Sequence, residues 1–197
     1  MSRGPRSICV FCASSRGRDE GLLAAAHDFG RLLASRGQRL VYGGGRVGLM
    51  GAVADGALAA GGEVVGVIPE MMVGRELAHE GIGDLRVVGS MHERKATMAD
   101  LADAFVALPG GIGTLEELFE IWTWGQLGLH RKPCGLLDLG GYYSRLLDFL
   151  AHAHESGFIG TDTMRLLVVE RDPERLLEEL ATRHLPAMPR QLNRAST

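Results

Sequence analysis

At 197 residues, with 46% hydrophobic and 23% charged side chains, the chain has the make-up of an ordinary globular protein, long enough to bury one core. Its formal net charge is −3 and it carries no long basic block, which argues against general nucleic-acid binding. No apolar run approaches a membrane span. The basic start and the short apolar run ending at Cys12 do not make a signal peptide, so a cytoplasmic location is expected.

In chain order, Ser7 to Cys12 reads as a buried strand followed by a loop, Ala13 to Gly17. Glu20 to Ser35 is a helix by its apolar stripe, with Gly37 as its C′ stop. A second strand, Arg39 to Tyr42, runs into Gly43-Gly44-Gly45-Arg46-Val47-Gly48, and a small-residue helix covers Leu49 to Ala60. Glu63 to Ile68 is a third strand, and Glu70 to Gly83 an irregular loop with short helical turns. Strands at Leu85 to Val88, Ala104 to Leu108, Pro133 to Leu139 and Leu166 to Glu170 alternate with helices. These cover Met91 to Leu101, Leu115 to Leu127, Tyr142 to His154 and Pro173 to Thr182. Short continuous apolar strands alternating with helices predict an α/β protein: a Rossmann-like, doubly wound parallel sheet with helices on both faces. Residues 1–185 form a single domain in this reading, and 186–197 a frayed tail.

Cys9 and Cys12 form a C-x-x-C inside a strand, where period two sends the side chains to opposite faces. Buried structural thiols are the expectation. No second C-x-x-C and no H-E-x-x-H occurs, so a metal site has no support.

Two glycine loops follow strands and open helices. Gly43-x-Gly45-x-x-Gly48 fits the dinucleotide fingerprint, with Glu70 lying 22 residues beyond Gly48, near the usual place of a ribose-binding acid. The second runs Leu108-Pro109-Gly110-Gly111-Ile112-Gly113-Thr114, and its N–H groups and helix dipole suit a phosphate. Two such loops on one small sheet point to a single mononucleotide held between them; the plainer alternative is that the glycines only make tight turns. An NAD-linked oxidoreductase would rest on the Gly43 loop alone, and little chain is left for a substrate domain.

Thr114-Leu115-Glu116-Glu117 reads as a capping box, which gives Glu117 a structural reason beside any chemical one. Ser90-Met91-His92-Glu93 reads as another. Arg94 falls with Met91, Met98 and Leu101 on an apolar helical stripe. A buried guanidinium needs an anion, and Glu117, Asp100 or a ligand phosphate are the candidates. His92 and His130 are read as surface or core residues rather than catalysts.

Met91-His92-Glu93-Arg94-Lys95 followed by Pro109-Gly110-Gly111-Ile112-Gly113-Thr114-Leu115-Glu116-Glu117 resembles the paired signature of the Lonely Guy (LOG) family, M-H-x-R-K and P-G-G-x-G-T-x-x-E. The likeness extends to Cys9 through Ser15, Val41 through Gly45, Gly48-Leu49-Met50-Gly51 and Trp124 through Gly128. It implies a Rossmann-like homodimer that cuts the N-glycosidic bond of N6-modified AMP into free base and ribose 5-phosphate, without a cofactor. By position it makes Arg94 and Glu117 the catalytic residues. Substrate contacts are expected at Glu76, Lys95, Gly110, Gly111, Ile112, Gly113, Thr114, Leu115, Glu116 and Thr123, and in the loops at Ser14, Gly43, Gly44 and Gly45. Ala13 departs from the glycine that many members carry in the first loop. Met71, Met72 and Trp124 are candidates to line the far end of the pocket. An older label of the family, lysine decarboxylase, finds no pyridoxal-phosphate feature here. The competing class is a non-catalytic nucleotide sensor or carrier.

Overall fold

A computed structural model describes residues 4–73 and 78–186 of the chain. Seven parallel strands form one sheet in the order β4-β3-β2-β1-β5-β6-β7. They are β1 (Ser7–Phe11), β2 (Arg39–Tyr42), β3 (Val64–Pro69), β4 (Asp84–Val88), β5 (Ala104–Ala107), β6 (Cys134–Leu137) and β7 (Leu167–Glu170). The inner strands are largely apolar because helices cover both faces; all five residues of β1 and all four of β5 are buried. On one face α1 (Glu20–Ser35), α2 (Gly48–Ala59) and α8 (Pro173–Thr182) bury residues such as Phe29, Val53 and Leu176. On the other, α4 (Met91–Leu101), α5 (Ile112–Gln126), α6 (Ser144–Glu155) and α7 (Thr161–Arg165) bury Met98, Trp122 and Leu150 among others. α3 (Glu70–Val73) is a single turn after β3. Among the described residues no helix is long and apolar enough to cross a membrane.

The doubly wound expectation agrees with this architecture, and most boundaries agree to within a residue or two. The largest differences are α7, for which the short Thr161–Arg165 segment offers no periodic stripe, and the starts of two helices. α6 begins at Ser144 rather than Tyr142, because a 3-10 turn over Leu139–Gly141 precedes it. α5 begins at Ile112, with Gly111 as N-cap, rather than at Leu115. Thr114 therefore lies inside the helix, 4% exposed, and no side chain caps it. The capping box predicted for Thr114 and Glu117 does not form. An exposed Ile-Gly pair looks like a poor helix start by propensity, yet the helix begins there, with Thr114 packed against Gly110 four residues back.

The other predicted box does form. Glu93 N–H donates to Ser90 Oγ at 3.1 Å, and Glu93 Oε2 accepts from Gly89 N–H at 2.8 Å, one residue before the cap.

Strand order reverses between β1 and β5: β1 to β4 are laid down one way and β5 to β7 the other. The loops leaving the carboxyl ends of these two neighbours therefore diverge, and the gap between them is where an open α/β sheet binds ligands.

Candidate active site

A cavity of about 300 Å³ opens at that gap. The loop after β1 supplies Cys12 to Ser15, the start of α5 supplies Gly111 to Thr114 with Glu116 and Glu117, and Met50, Met72, Met91 and Arg94 complete the wall. The two loops are tied, since Ala13 N–H donates to Pro109 O at 3.2 Å and Met50 N–H to Ala13 O at 3.1 Å. Intrahelical hydrogen bonding starts with Leu115 N–H on Gly111 O, so the earlier first-turn N–H groups lack intrahelical partners and make up the positive end of the dipole. Such a helix start suits an anion.

Arg94 is 4% exposed on α4. Its Nε donates to Val67 O at 3.1 Å and its Nη2 to Gly43 O at 2.9 Å, while Nη1 lies 3.9 Å from the sulfurs of both Met72 and Met91. Two backbone carbonyls, one within β3 and one just after β2, thus fix the plane of the guanidinium, a role for backbone acceptors that the side-chain pattern does not reveal. Asp100, one suggested partner, is exposed. Glu117 is half-buried on α5 and lines the same cavity. Cys12 lies within reach of both charges. Burial pushes its thiol well above the ordinary range, Glu117 pushes it further, and Arg94 draws it back. Cys9 is likewise raised by burial and by Glu117 and drawn back by Arg94, with a smaller upward push from Cys12 and a small downward pull from Lys132. Both remain protonated buried thiols, and Cys134, deeper in the sheet, is pushed up to about 12 by burial alone.

The Gly43 loop does not line the cavity. Gly43, Gly44 and Gly45 are buried; Gly44 O accepts His79 N–H at 3.0 Å and Gly45 bridges Ala78. A Cβ on Gly43 would collide with Arg94 Nη2, so this glycine exists to let the guanidinium in. The third fingerprint glycine, Gly48, is where the Ser14–Ser15 backbone passes over the start of α2. The fingerprint follows β2, one strand away from the reversal, and the exposed Glu70 is outside the cavity wall. The mononucleotide site expected between the two glycine loops is thus framed instead by the loop after β1 and the start of α5.

Of the other predicted contacts, Ser14, Gly111, Ile112, Gly113, Thr114 and Glu116 reach the wall. Gly110 is buried just behind it, and Leu115 turns toward the core. Lys95 is drawn to the rim, where its Nζ donates to Glu116 Oε1 at 2.6 Å and Glu120 Oε1 at 2.9 Å. Burial lowers its affinity for a proton, but the two carboxylates more than restore it and the net shift is upward. Thr123 is exposed on α5, outside the cavity. Glu76 lies outside the described residues. Met72 lines the cavity as expected, but Met71 does not, and Trp124 lines a separate pocket with Phe105 and His130. Trp124 is 12 residues beyond Ile112, about 18 Å along the helix, at the other end of the sheet. Met50 and Met91 were missed; only their place beside the Gly48 loop and Arg94 hinted at them.

Fold and cavity together define a doubly wound α/β protein with a cavity at its topological switch point, opened by a helix N-terminus and walled by a fixed arginine and a carboxylate. A family model described as "Possible lysine decarboxylase" matches residues 50–180. The chain is 49% identical over 175 residues to the cytokinin riboside 5'-monophosphate phosphoribohydrolase LOG3 of Arabidopsis thaliana, covering 89% of this chain and 81% of that protein. It is 52% identical over 171 residues to the enzyme of that name from Rhodococcoides fascians, covering 86% of each. Among solved structures, the Moco carrier protein of Chlamydomonas reinhardtii superposes with a TM-score of 0.65 at 24% identity, over 88% of this chain and 98% of that one, which shows the shared fold. The chain belongs to the Lonely Guy (LOG) family.

Proposed function

We propose that this protein hydrolyses the N-glycosidic bond of adenosine 5′-monophosphates, N6-modified ones included, releasing free base and ribose 5-phosphate. Its relatives of about half-identical sequence carry the name of that activity. The observation that carries the reading is that Arg94 and Glu117 line one cavity with the unpaired N–H groups that open α5. Because α5 starts at Ile112, Glu117 is six residues beyond the cap, about 9 Å along the axis, which leaves room for a sugar between phosphate and carboxylate. Its placement owes nothing to capping, and α5 has no acidic residue in its first turn to repel a phosphate.

In this reading the first-turn N–H groups hold the 5′-phosphate, binding energy remote from the bond that breaks. As the bond to the base lengthens, positive charge builds on the sugar, and the Glu117 carboxylate stabilises it and orients the attacking water. Water delivers hydroxide to the anomeric carbon and its proton leaves with the base. Arg94, held by two carbonyls, keeps its guanidinium plane toward the cavity. Met50, Met72 and Met91 supply an adaptable apolar wall suited to a base. A homodimer is the expected assembly, supported by the family resemblance.

Incubation with N6-isopentenyl-AMP, AMP, the matching nucleosides and NADH, followed by chromatography, tests this. Free base from the 5′-monophosphates but not from the nucleosides is expected. Tight binding of a nucleotide with no release of base would make the chain a carrier instead.

A further inference from the structure

The cradle is braced from behind. Three successive carbonyls of the loop between β5 and α5 are each held by a different donor. Tyr143 Oη donates to Leu108 O at 2.6 Å, Ala13 N–H to Pro109 O at 3.2 Å, and Tyr142 Oη to Gly110 O at 2.8 Å. A trans peptide is planar, so fixing each C=O sends the next N–H the opposite way. Anchoring Pro109 O and Gly110 O therefore aims the N–H groups of Gly110 and Gly111, and with them the entry to α5. The braces are themselves fixed: Tyr143 N–H donates to the buried Asp138 Oδ1 at 2.7 Å, Asp138 Oδ2 accepts from Arg171 Nε at 3.1 Å, and the two tyrosine rings meet edge to face at 4.9 Å.

Core packing accounts for Tyr143, which is 2% exposed, but not for Tyr142, which is 51% exposed and still commits its hydroxyl to the loop. The Tyr142 ring also walls a smaller pocket of about 160 Å³ with Ser15, Arg16 and Gly111, next to the main cavity.

We propose that Tyr142 and Tyr143 are positioning residues for the anion cradle, setting the peptide planes that hold the substrate's phosphate. The proposal rests on the phosphoribohydrolase reading for its kinetic signature, but the cradle can be probed with inorganic phosphate alone. Tyr142→Phe removes one hydroxyl and keeps the ring. It is expected to raise KM for the 5′-monophosphate, and the inhibition constant of inorganic phosphate, by about five- to tenfold, the size of one lost hydrogen bond. The turnover number should stay within about twofold and the melting temperature should not move, a split that a merely structural role would not give. Tyr143→Phe should shift KM the same way with a lowered melting temperature. Unchanged KM and phosphate inhibition in Tyr142→Phe would overturn the proposal, as would a fall in turnover without a change in either. Should the unmodified protein release no base, the activity reading fails alone. Calorimetric titration with phosphate then decides the brace, a five- to tenfold weaker Kd in Tyr142→Phe supporting it and an equal Kd overturning it.

Discussion

The two glycine loops look alike in sequence and do opposite things. Pro109 to Gly113 leaves β5 at the strand-order reversal and opens to the cavity; Gly43 to Gly45 leaves β2, is buried, and closes around the Arg94 guanidinium. A glycine fingerprint states only that backbone comes close to something. Which strand it follows, and where that strand lies relative to the switch point, decides whether the something is a phosphate or the protein's own side chain.

The sharpest way to test this division is to change the two charged residues that line the cavity. Glu117→Gln keeps size and loses the anion that the developing sugar cation needs, and should lower turnover by about 10²–10³-fold with little change in KM. Arg94→Lys should be comparably damaging although the charge is kept, because an ammonium cannot serve Val67 O and Gly43 O in one plane. Steady-state kinetics on N6-isopentenyl-AMP checks both; near-normal turnover in either variant would sink the mechanism.

Gly43→Ala comes next and probes the closed loop directly. Its new Cβ falls on Arg94 Nη2 and within 3.0 Å of Met50 Sδ, two elements of the cavity wall. Overpacking there costs about 1–3 kcal/mol, and we expect activity to fall about tenfold or more while the protein still folds. Thermal melting beside kinetics separates the two effects. If Gly43→Ala instead weakened phosphate inhibition and left turnover untouched, the Gly43 loop would be a phosphate cradle after all.

The sheet was legible because its strands are short apolar runs at regular spacing, and that pattern depends on local sequence alone. The Arg94–Glu117 pairing on one cavity was legible for a different reason: an arginine on an apolar stripe demands an explanation, and the family signature supplied the partner. What stayed hidden depended on distance. The start of α5 differs from the expected one because Thr114 has cap chemistry and Gly113 is a weak helix former, and local propensity does not decide where the helix begins. The Val67 and Gly43 carbonyls that hold Arg94 leave no trace in side-chain pattern, since every residue has a carbonyl. Trp124 is a candidate for the far end of the pocket in sequence, but helix length carries it to the other end of the sheet.

A smaller effect follows from the buried thiols. Cys134 titrates near 9.0 when unfolded but is pushed up to about 12 by burial, and Cys9 and Cys12 are raised as well. Above the unfolded value, the unfolded chain has given up protons that the folded chain keeps, so stability falls as pH rises from about 9 toward 12. Each cysteine contributes a slope of at most about 1.4 kcal/mol per pH unit in that window. Denaturant titrations of Cys134→Ala at pH 8 and pH 10 should show a smaller alkaline loss than the unmodified protein. Iodoacetamide should leave all three thiols unreacted in the folded state at pH 8.

The smallest effect is expected at the open loop itself. Gly111 caps α5 with φ −90° and ψ −153°, a conformation any residue adopts, and a Cβ built there meets nothing within 4 Å. Gly111→Ala should therefore change stability by less than about 0.5 kcal/mol, as for a surface substitution away from any special feature. Its effect on KM should be no more than about threefold, provided the ligand approaches the N–H side of the peptide rather than the Cα. So the fingerprint glycine that touches no substrate should be the intolerant one, and the glycine beside the phosphate the tolerant one. A strongly raised KM in Gly111→Ala, with unchanged melting, would mean that the ligand packs on the Cα as well, and that both loops are glycine-rich for the same reason of close approach.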